Sequence, residues 1–362
     1  MSEIRLENID KSYGDKQIIK NLNLTIENGS FTVLVGPSGC GKSTILRIVA
    51  GLEKKTGGNV YIGEHDVEGV EPGKRNLAMV FQNYALYPTM TVRQNVEFGL
   101  KNIKMPKLER DQLIDEVVNI VGLTSHLEKK PQFLSGGERQ RVALARAMVK
   151  KPAVFLMDEP LSNLDAKLRQ QLRSELIELH NRLGATFLYV THDQIEAMSM
   201  GTKIVLMDSG KIMQEDTAHD IYNYPKNVFS SKFIGSPPMN VLESEELNEY
   251  ISAPVPSDIK YIGFRPEKAK IVLSENGQGR DGLYLEGLVT GREMLGAEIL
   301  YAVELTNKKK IAVKIMDDSE IPLFDYGAGM KLFVGHNHVV FFNEEQQRIT
   351  TDYRIKKQGE IA

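Results

Sequence analysis

The stretch Phe31-Thr32-Val33-Leu34-Val35-Gly36-Pro37-Ser38-Gly39-Cys40-Gly41-Lys42-Ser43-Thr44 decides the fold class. Its first residues form an apolar β-type run, and the rest matches GxxxxGK[ST], the loop that joins a strand to a helix and wraps phosphate. The glycines let the backbone approach an anion closely, while the following helix aims free N–H groups and the positive end of its dipole at it. Lys42 is placed to reach the β- and γ-phosphates of a nucleotide, and the Ser43 hydroxyl to ligate Mg²⁺. Pro37, Ser38 and Thr44 complete the loop, and Cys40 reads as a small loop residue.

Working outward, strand-like runs alternate with helical patterns up to about Gly235, which predicts an α/β domain with helices on a largely parallel sheet. Phe31–Val35 precedes a helix over Ile45–Leu52, Val154–Met157 precedes a helix after Asp165, and Thr186–Val190 precedes one over Asp193–Ser199. Leucines at 168, 172, 176, 179 and 183 recur at helical spacing and mark a buried stripe. Between Tyr84 and Lys150 strand signals give way to helical ones, including Asp111–Val121 and Arg139–Lys150, so a helical subdomain over about 84–150 interrupts the sheet. After Ser236-Pro237-Pro238 the texture turns β-rich, with runs at Ala297–Leu305, Lys310–Ile315 and Lys331–Phe342. The expected division is therefore 1–235 and 236–362.

The run Val154-Phe155-Leu156-Met157 ends at Asp158-Glu159, which sets two carboxylates at the carboxyl end of a strand, where open α/β sheets bind ligands. Asp158 suits the Mg²⁺ shell and Glu159 suits the orientation of an attacking water, because phosphoryl transfer needs mainly positioning and charge stabilisation. Leu134-Ser135-Gly136-Gly137-Glu138 opens another helix. It offers a hydroxyl and exposed N–H groups to a second phosphate, and Ser135 with Glu138 also has capping-box spacing.

With 362 residues, 41% apolar and 26% charged, the chain has the composition of a folded protein with more than one domain. A formal net charge of −3 draws it neither to nucleic acid nor to anionic lipid. A single cysteine excludes an intrachain disulfide, the first residues lack a secretory pattern, and no apolar run reaches the length of a spanning helix. A cytoplasmic setting is expected. The basic residues Lys308–Lys310 and Lys356-Lys357 read as solvated surface.

At Leu134–Gly137 the sequence resembles the ATP-binding subunits of ABC transporters, whose signature is LSGGQ; Glu138 replaces the usual glutamine. The resemblance extends to Tyr13, matching the aromatic residue that stacks on adenine, and to Gln82, matching the Q-loop residue assigned to the Mg²⁺ shell and the catalytic set. It also covers Ser162-Asn163-Leu164-Asp165, like a D-loop, and Thr191-His192-Asp193, like the switch that sets a histidine near the γ-phosphate. The runs Met79–Pro88, Phe155–Asp165 and Gly235–Asn240 resemble the carbohydrate-importer ATPases of the MalK type, and Gly263-Phe264-Arg265-Pro266-Glu267 resembles a motif of their C-terminal domain.

That resemblance implies a P-loop NTPase cassette followed by an all-β, OB-like regulatory domain of the MOP/TOBE type. It implies a homodimer in which Ser135, Gly136 and Gly137 of one chain complete the ATP site of the other. It further implies two integral membrane permease subunits, with Ala85–Pro88 near the groove for a permease helix, an extracellular solute-binding protein, and a regulator at the C-terminal domain. The expected location is the cytoplasmic face of the membrane, and the expected cargo is a carbohydrate-type solute, with polyamine, iron or sulfate import as the alternative. A nucleic-acid ABC ATPase is disfavoured because Thr44–Leu134 has no room for a long coiled-coil insertion and zinc-type cysteine clusters are missing, and a GTPase because no N-K-x-D motif occurs.

Overall fold

The computed structural model describes residues 2–247, 250–251, 254–273, 281–317 and 321–355, in two compact units, Met1–His219 and Asp220–Ala362. Lys356-Lys357 lies outside the described residues. In the first unit the strands are β1 (Ile4–Tyr13), β2 (Lys16–Ile26), β3 (Phe31–Val35), β4 (Gly57–Ile62), β5 (His65–Asp66), β6 (Leu77–Val80), β7 (Val154–Asp158), β8 (Thr186–Thr191), β9 (Lys203–Asp208) and β10 (Lys211–Asp216). The helices are α1 (Lys42–Ala50), α2 (Val92–Asn102), α3 (Lys107–Ile120), α4 (Gly136–Met148), α5 (Ala166–Leu183) and α6 (Gln194–Met200), and α7 (Ala218–Asn223) runs across the division.

Strands β10-β9-β3-β8-β7-β6 form one sheet in that order, parallel except for the β9–β10 hairpin. Every residue of β3, β7 and β8 is buried. A sheet covered on both faces demands this, and it explains why these strands read as unbroken apolar runs. The expected parallel sheet is thus present, with two parallel neighbours, β7 and β9, flanking the β3/β8 pair.

A second, antiparallel sheet, β2-β1-β4-β5, was not anticipated from the sequence. Its β1 alternates buried and part-exposed residues, because one face packs into the main core while the other meets water. From α2 through α4 no strand interrupts the helices, as the subdomain reading requires. On α5, Leu172, Leu176 and Leu179 are buried while Leu168 and Leu183 are only partly so; each fully buried leucine contributes about 2 kcal/mol.

In the second unit, α8 (Val228–Phe233) precedes β11 (Asn240–Glu243), β12 (Tyr261–Phe264), β13 (Lys270–Ile271), β14 (Gly282–Met294), β15 (Glu298–Leu305), β16 (Lys310–Met316), β17 (Gly329–Gly335), β18 (Val339–Phe342) and β19 (Arg348–Ile349). They pair as two antiparallel sheets, β11-β12-β18-β19 and β13-β17-β14-β15-β16. The run Lys331–Phe342, read as one strand, is two. His336-Asn337-His338 makes a 3₁₀ turn that ends β17 against β14 and starts β18 against β12, in the other sheet. Buried Arg265 donates to the carbonyls of Tyr222 (2.7 Å), Ser231 (2.9 Å) and Ile234 (2.5 Å), so the helical lead-in is fastened to β12. Burial, with the Glu267 hydrogen bond, pushes the stacked Tyr222 phenol up to about 12.

Candidate functional site

The loop between β3 and α1 is shaped by a close approach. Gly36 has φ +155°, and a Cβ there would lie 2.1 Å from the carbonyl oxygen of Met207 on β9, so no other residue fits without displacing a strand. Gly41, at φ +106°, precedes α1 and gives it no side-chain cap. The first-turn N–H groups therefore have no side-chain acceptor, which suits an anion. Ser38 and Gly39 are exposed on the loop, while Cys40 is buried and burial pushes its thiol up.

Lys42 is 4% exposed. Its ammonium donates to the carbonyls of Gly36 and Pro37, both at 2.9 Å, and lies 3.7 Å from Cys40 Sγ. Ser43 Oγ donates to Asp158 Oδ1 at 2.6 Å, and Arg47 stands 3.7 Å from the other oxygen of that buried carboxylate. Thr44 follows within α1.

Glu159, just past β7, adopts φ +45° and donates its N–H to the Val190 carbonyl. A left-handed backbone at a non-glycine residue costs of order 1 kcal/mol and persists only where the surroundings impose it. Here it turns the carboxylate toward His192, whose Nδ1 lies 3.0 Å from Glu159 Oε2. Gln82 Nε2 donates to Ser162 Oγ (3.2 Å), Ser162 donates to the Glu159 carbonyl (2.9 Å), and Asn163 donates back to the Gln82 carbonyl (3.2 Å). Asp165 caps α5 through Leu168 N–H. Ser43 is thus joined to Asp158, Glu159 to His192, and Gln82 through Ser162 to Glu159, while Lys42 folds onto its own loop, all just past the carboxyl ends of β3, β6, β7 and β8.

Two predicted groups lie elsewhere. Tyr13 sits on the antiparallel sheet, 49% exposed, over the ammonium of Lys11. At the start of α4, Ser135 N–H donates to Glu138 Oε2 (2.6 Å) and Glu138 N–H to Ser135 Oγ (3.3 Å), the capping box read from the sequence. That backbone donor is the main cause holding the Glu138 carboxyl below its usual range, helped by His126, whose Nε2 is 2.8 Å away. Gly136 and Gly137 press on Leu164 and Leu168, where a Cβ would come within 2.7 and 3.0 Å. Among the described residues no hydrogen bond or ion pair joins this turn to Lys42, Asp158, Glu159 or His192.

Sequence reasoning missed the supports. Buried Glu196 accepts from Tyr189 and Thr191 hydroxyls at 2.8 and 2.7 Å, and burial raises its carboxyl. Arg169 ties the Leu164 carbonyl (3.1 Å) to Asp193 (3.3 Å), linking the turn before α5 to the loop that carries His192. Neither had a motif signal, since the Glu196 contacts depend on how α6 folds back on β8 and the Arg169 contacts on how α5 meets the loop before α6.

The ABC transporter family profile matches residues 19–162, and the TOBE domain profile matches 262–342. The chain is 48% identical over 324 residues to the sn-glycerol-3-phosphate import ATP-binding protein UgpC of Brucella abortus (strain 2308), covering 87% of this chain and 91% of that protein. The chain belongs to the ATP-binding subunits of carbohydrate-type ABC importers. A second member, the maltose/maltodextrin import ATP-binding protein MalK of Mannheimia succiniciproducens, is 42% identical over 366 residues, 95% of this chain and 96% of that protein.

Among solved structures, a dimeric ATP-binding cassette in a post-hydrolysis state bound to ADP and Pi superposes with TM-score 0.53 at 34% identity, over 59% of this chain and 98% of that one. The cassette cbiO1 from Clostridium perfringens, part of the transporter complex cbiONQ, gives 0.56 at 26% identity, over 60% of this chain and 89% of that one. The ABC cassette described here is accordingly an ATPase with a C-terminal TOBE domain built of β-strands.

Proposed function

We propose that two copies of this chain close over two ATP molecules and drive a carbohydrate-type importer, with ATP handled by residues 1–235 and control or assembly by 236–362. The observation that carries the reading is that one copy gathers the Lys42 loop, the Ser43–Asp158 hydrogen bond and the Glu159–His192 contact at the carboxyl ends of its parallel strands. The Lys42 donors can exchange loop carbonyls for β- and γ-phosphate oxygens. Loop N–H groups and the uncapped start of α1 hold the remaining phosphate charge. Tyr13 stacks on the adenine.

Ser43 and Asp158 fit Mg²⁺: they are oxygen donors, buried or partly so, already in mutual contact, and a divalent magnesium site of this kind is completed by water and phosphate. Gln82 would join Ser43 and Asp158 in holding the ion. When bound, the ion neutralises phosphate charge as the terminal phosphoryl group transfers. Glu159 orients the attacking water, and His192 positions Glu159 and contacts the γ-phosphate region. Ser135, Gly136 and Gly137 of the second copy close the site, as the dimeric state of the cassette with ADP and Pi supports.

The relatives named for glycerol-3-phosphate and maltose import support the cargo class. Among the described residues no helix is long and apolar enough to cross a membrane. Work on a solute therefore needs separate permease subunits, with this chain peripheral on the cytoplasmic face. A groove of about 1060 Å³, lined in part by Phe81, Ala85, Tyr87, Phe98 and Arg146, suits a permease helix. An extracellular binding protein would deliver the solute, and the TOBE domain would receive any regulator.

The test is Glu159→Gln. It should cut turnover at least about 100-fold, the scale of a lost general base, yet form a dimer with MgATP in analytical ultracentrifugation. Near-normal turnover would remove Glu159 from catalysis, and full turnover by a strictly monomeric preparation would end the two-copy reading.

A further inference from the structure

Tyr13 is half exposed, and what covers its other half is unusual. Lys11 and Tyr13 are two apart on β1, so both side chains leave the same face of the strand. The Lys11 ammonium lies 4.2 Å from the centre of the Tyr13 ring. Lysine is rarely buried unless paired, yet Lys11 is only 6% exposed. It is held by Glu53 Oε1 at 2.6 Å and the Lys54 carbonyl at 2.8 Å, both from the segment that follows α1. The Glu53 carboxyl falls below its usual range chiefly because Lys11 donates to it, with a smaller contribution from the Tyr13 hydroxyl. The ring is thereby backed on one face by a cation that Glu53 and the Lys54 carbonyl hold in place.

We infer that Lys11, anchored by Glu53, is a positioning residue that holds the Tyr13 ring in the orientation in which its open face receives the adenine of ATP. The inference rests on the stacking role proposed for Tyr13 and adds the layer beneath it. A ring already immobilised loses less freedom on stacking, so preorganisation appears as nucleotide affinity rather than as chemical rate. Lys11 itself touches neither the phosphates nor the base.

The experiment measures binding of MgATP and of base-free inorganic tripolyphosphate by calorimetry, and kcat and KM for ATP, on the full chain. Lys11→Met keeps the aliphatic stem and deletes the cation. It should weaken ATP binding and raise KM about three- to tenfold, the range of a partly desolvated cation–π contact, with kcat and tripolyphosphate binding unchanged. Lys11→Arg, which keeps a cation over the ring, should restore most of the affinity. If Tyr13→Ala weakens ATP selectively while Lys11→Met binds it like the unaltered chain, the inference is overturned and the stacking role stands. If Tyr13→Ala leaves ATP binding unchanged, the stacking role itself fails and the inference with it. Equal loss of ATP and tripolyphosphate in Lys11→Met would show a general distortion of the fold and also overturn it.

Discussion

The phosphate loop and the signature turn are both glycine-rich entries to a helix, but they are held in opposite ways. The loop at Gly36–Thr44 depends on residues far along the chain. Gly36 lies under the Met207 carbonyl, Ser43 donates to Asp158 across 115 positions, and Glu159 reaches His192 across 33. The turn at Ser135–Gly137 is satisfied almost where it stands, by a capping box spanning three positions. A site built from long-range contacts comes into being with the fold of its own chain. A helix entry capped by its own side chain is stable without a ligand, and its exposed serine is free to meet a second copy.

The most severe way to break this comparison is complementation. Lys42→Ala and Gly137→Asp should each abolish turnover alone. Mixed in equal amounts, they form dimers in which one site pairs an intact loop with an intact turn. If the two sites act independently, about a quarter of the unaltered turnover should return. A mixture as inactive as its parts would put the loop and turn of one site in the same copy, and the contrast would collapse.

A smaller effect is expected from Ser135→Ala. Losing a helix N-cap costs about 1 kcal/mol, which urea unfolding would show as a lowered midpoint, and nucleotide binding by the isolated phosphate loop should persist. Loss of ATP binding in that variant would mean that the turn supports the loop within one chain.

The smallest effect concerns acid. Glu138 has a carboxyl depressed first by the Ser135 N–H, opposed by burial and aided by His126. A depressed carboxyl contributes stability that is present above its unfolded value, near the ordinary 4.5, and that disappears as pH falls through the folded one. The unaltered chain should therefore lose slightly more stability than Glu138→Gln as pH drops below that range, by urea melts at a series of pH values. Identical acid profiles would show that the carboxylate cap contributes nothing.

Legibility followed the same contrast. The phosphate loop, the strand ending in Asp158-Glu159 and the capping box of α4 could be read directly because each is a short run whose spacing states its geometry. The sheet β2-β1-β4-β5 could not be assembled from the sequence, because the pairing that unites its two hairpins joins β1 to β4, more than forty residues away, and no local pattern announces that partner. The break between β17 and β18 was hidden for another reason. Val339 and Val340 keep the β-type texture of Leu332–Val334, and a three-residue 3₁₀ turn with membership of different sheets separates them. Arg169 and Lys11 carry no motif of their own, and only packing supplies Asp193, Glu53 and the Tyr13 ring.

What the amino-acid order determined by itself is the chemistry available: which loop is suited to phosphate, which carboxylates end a strand, and which helix carries its own cap. These follow from backbone preferences and side-chain reach over a few residues. Only the tertiary structure decided that Glu159 is strained toward His192, that Arg169 ties the start of α5 to the histidine loop, and that a buried lysine lies beneath Tyr13. Each of those depends on elements distant in sequence meeting at a few ångströms, and such meetings are set by how the whole core packs.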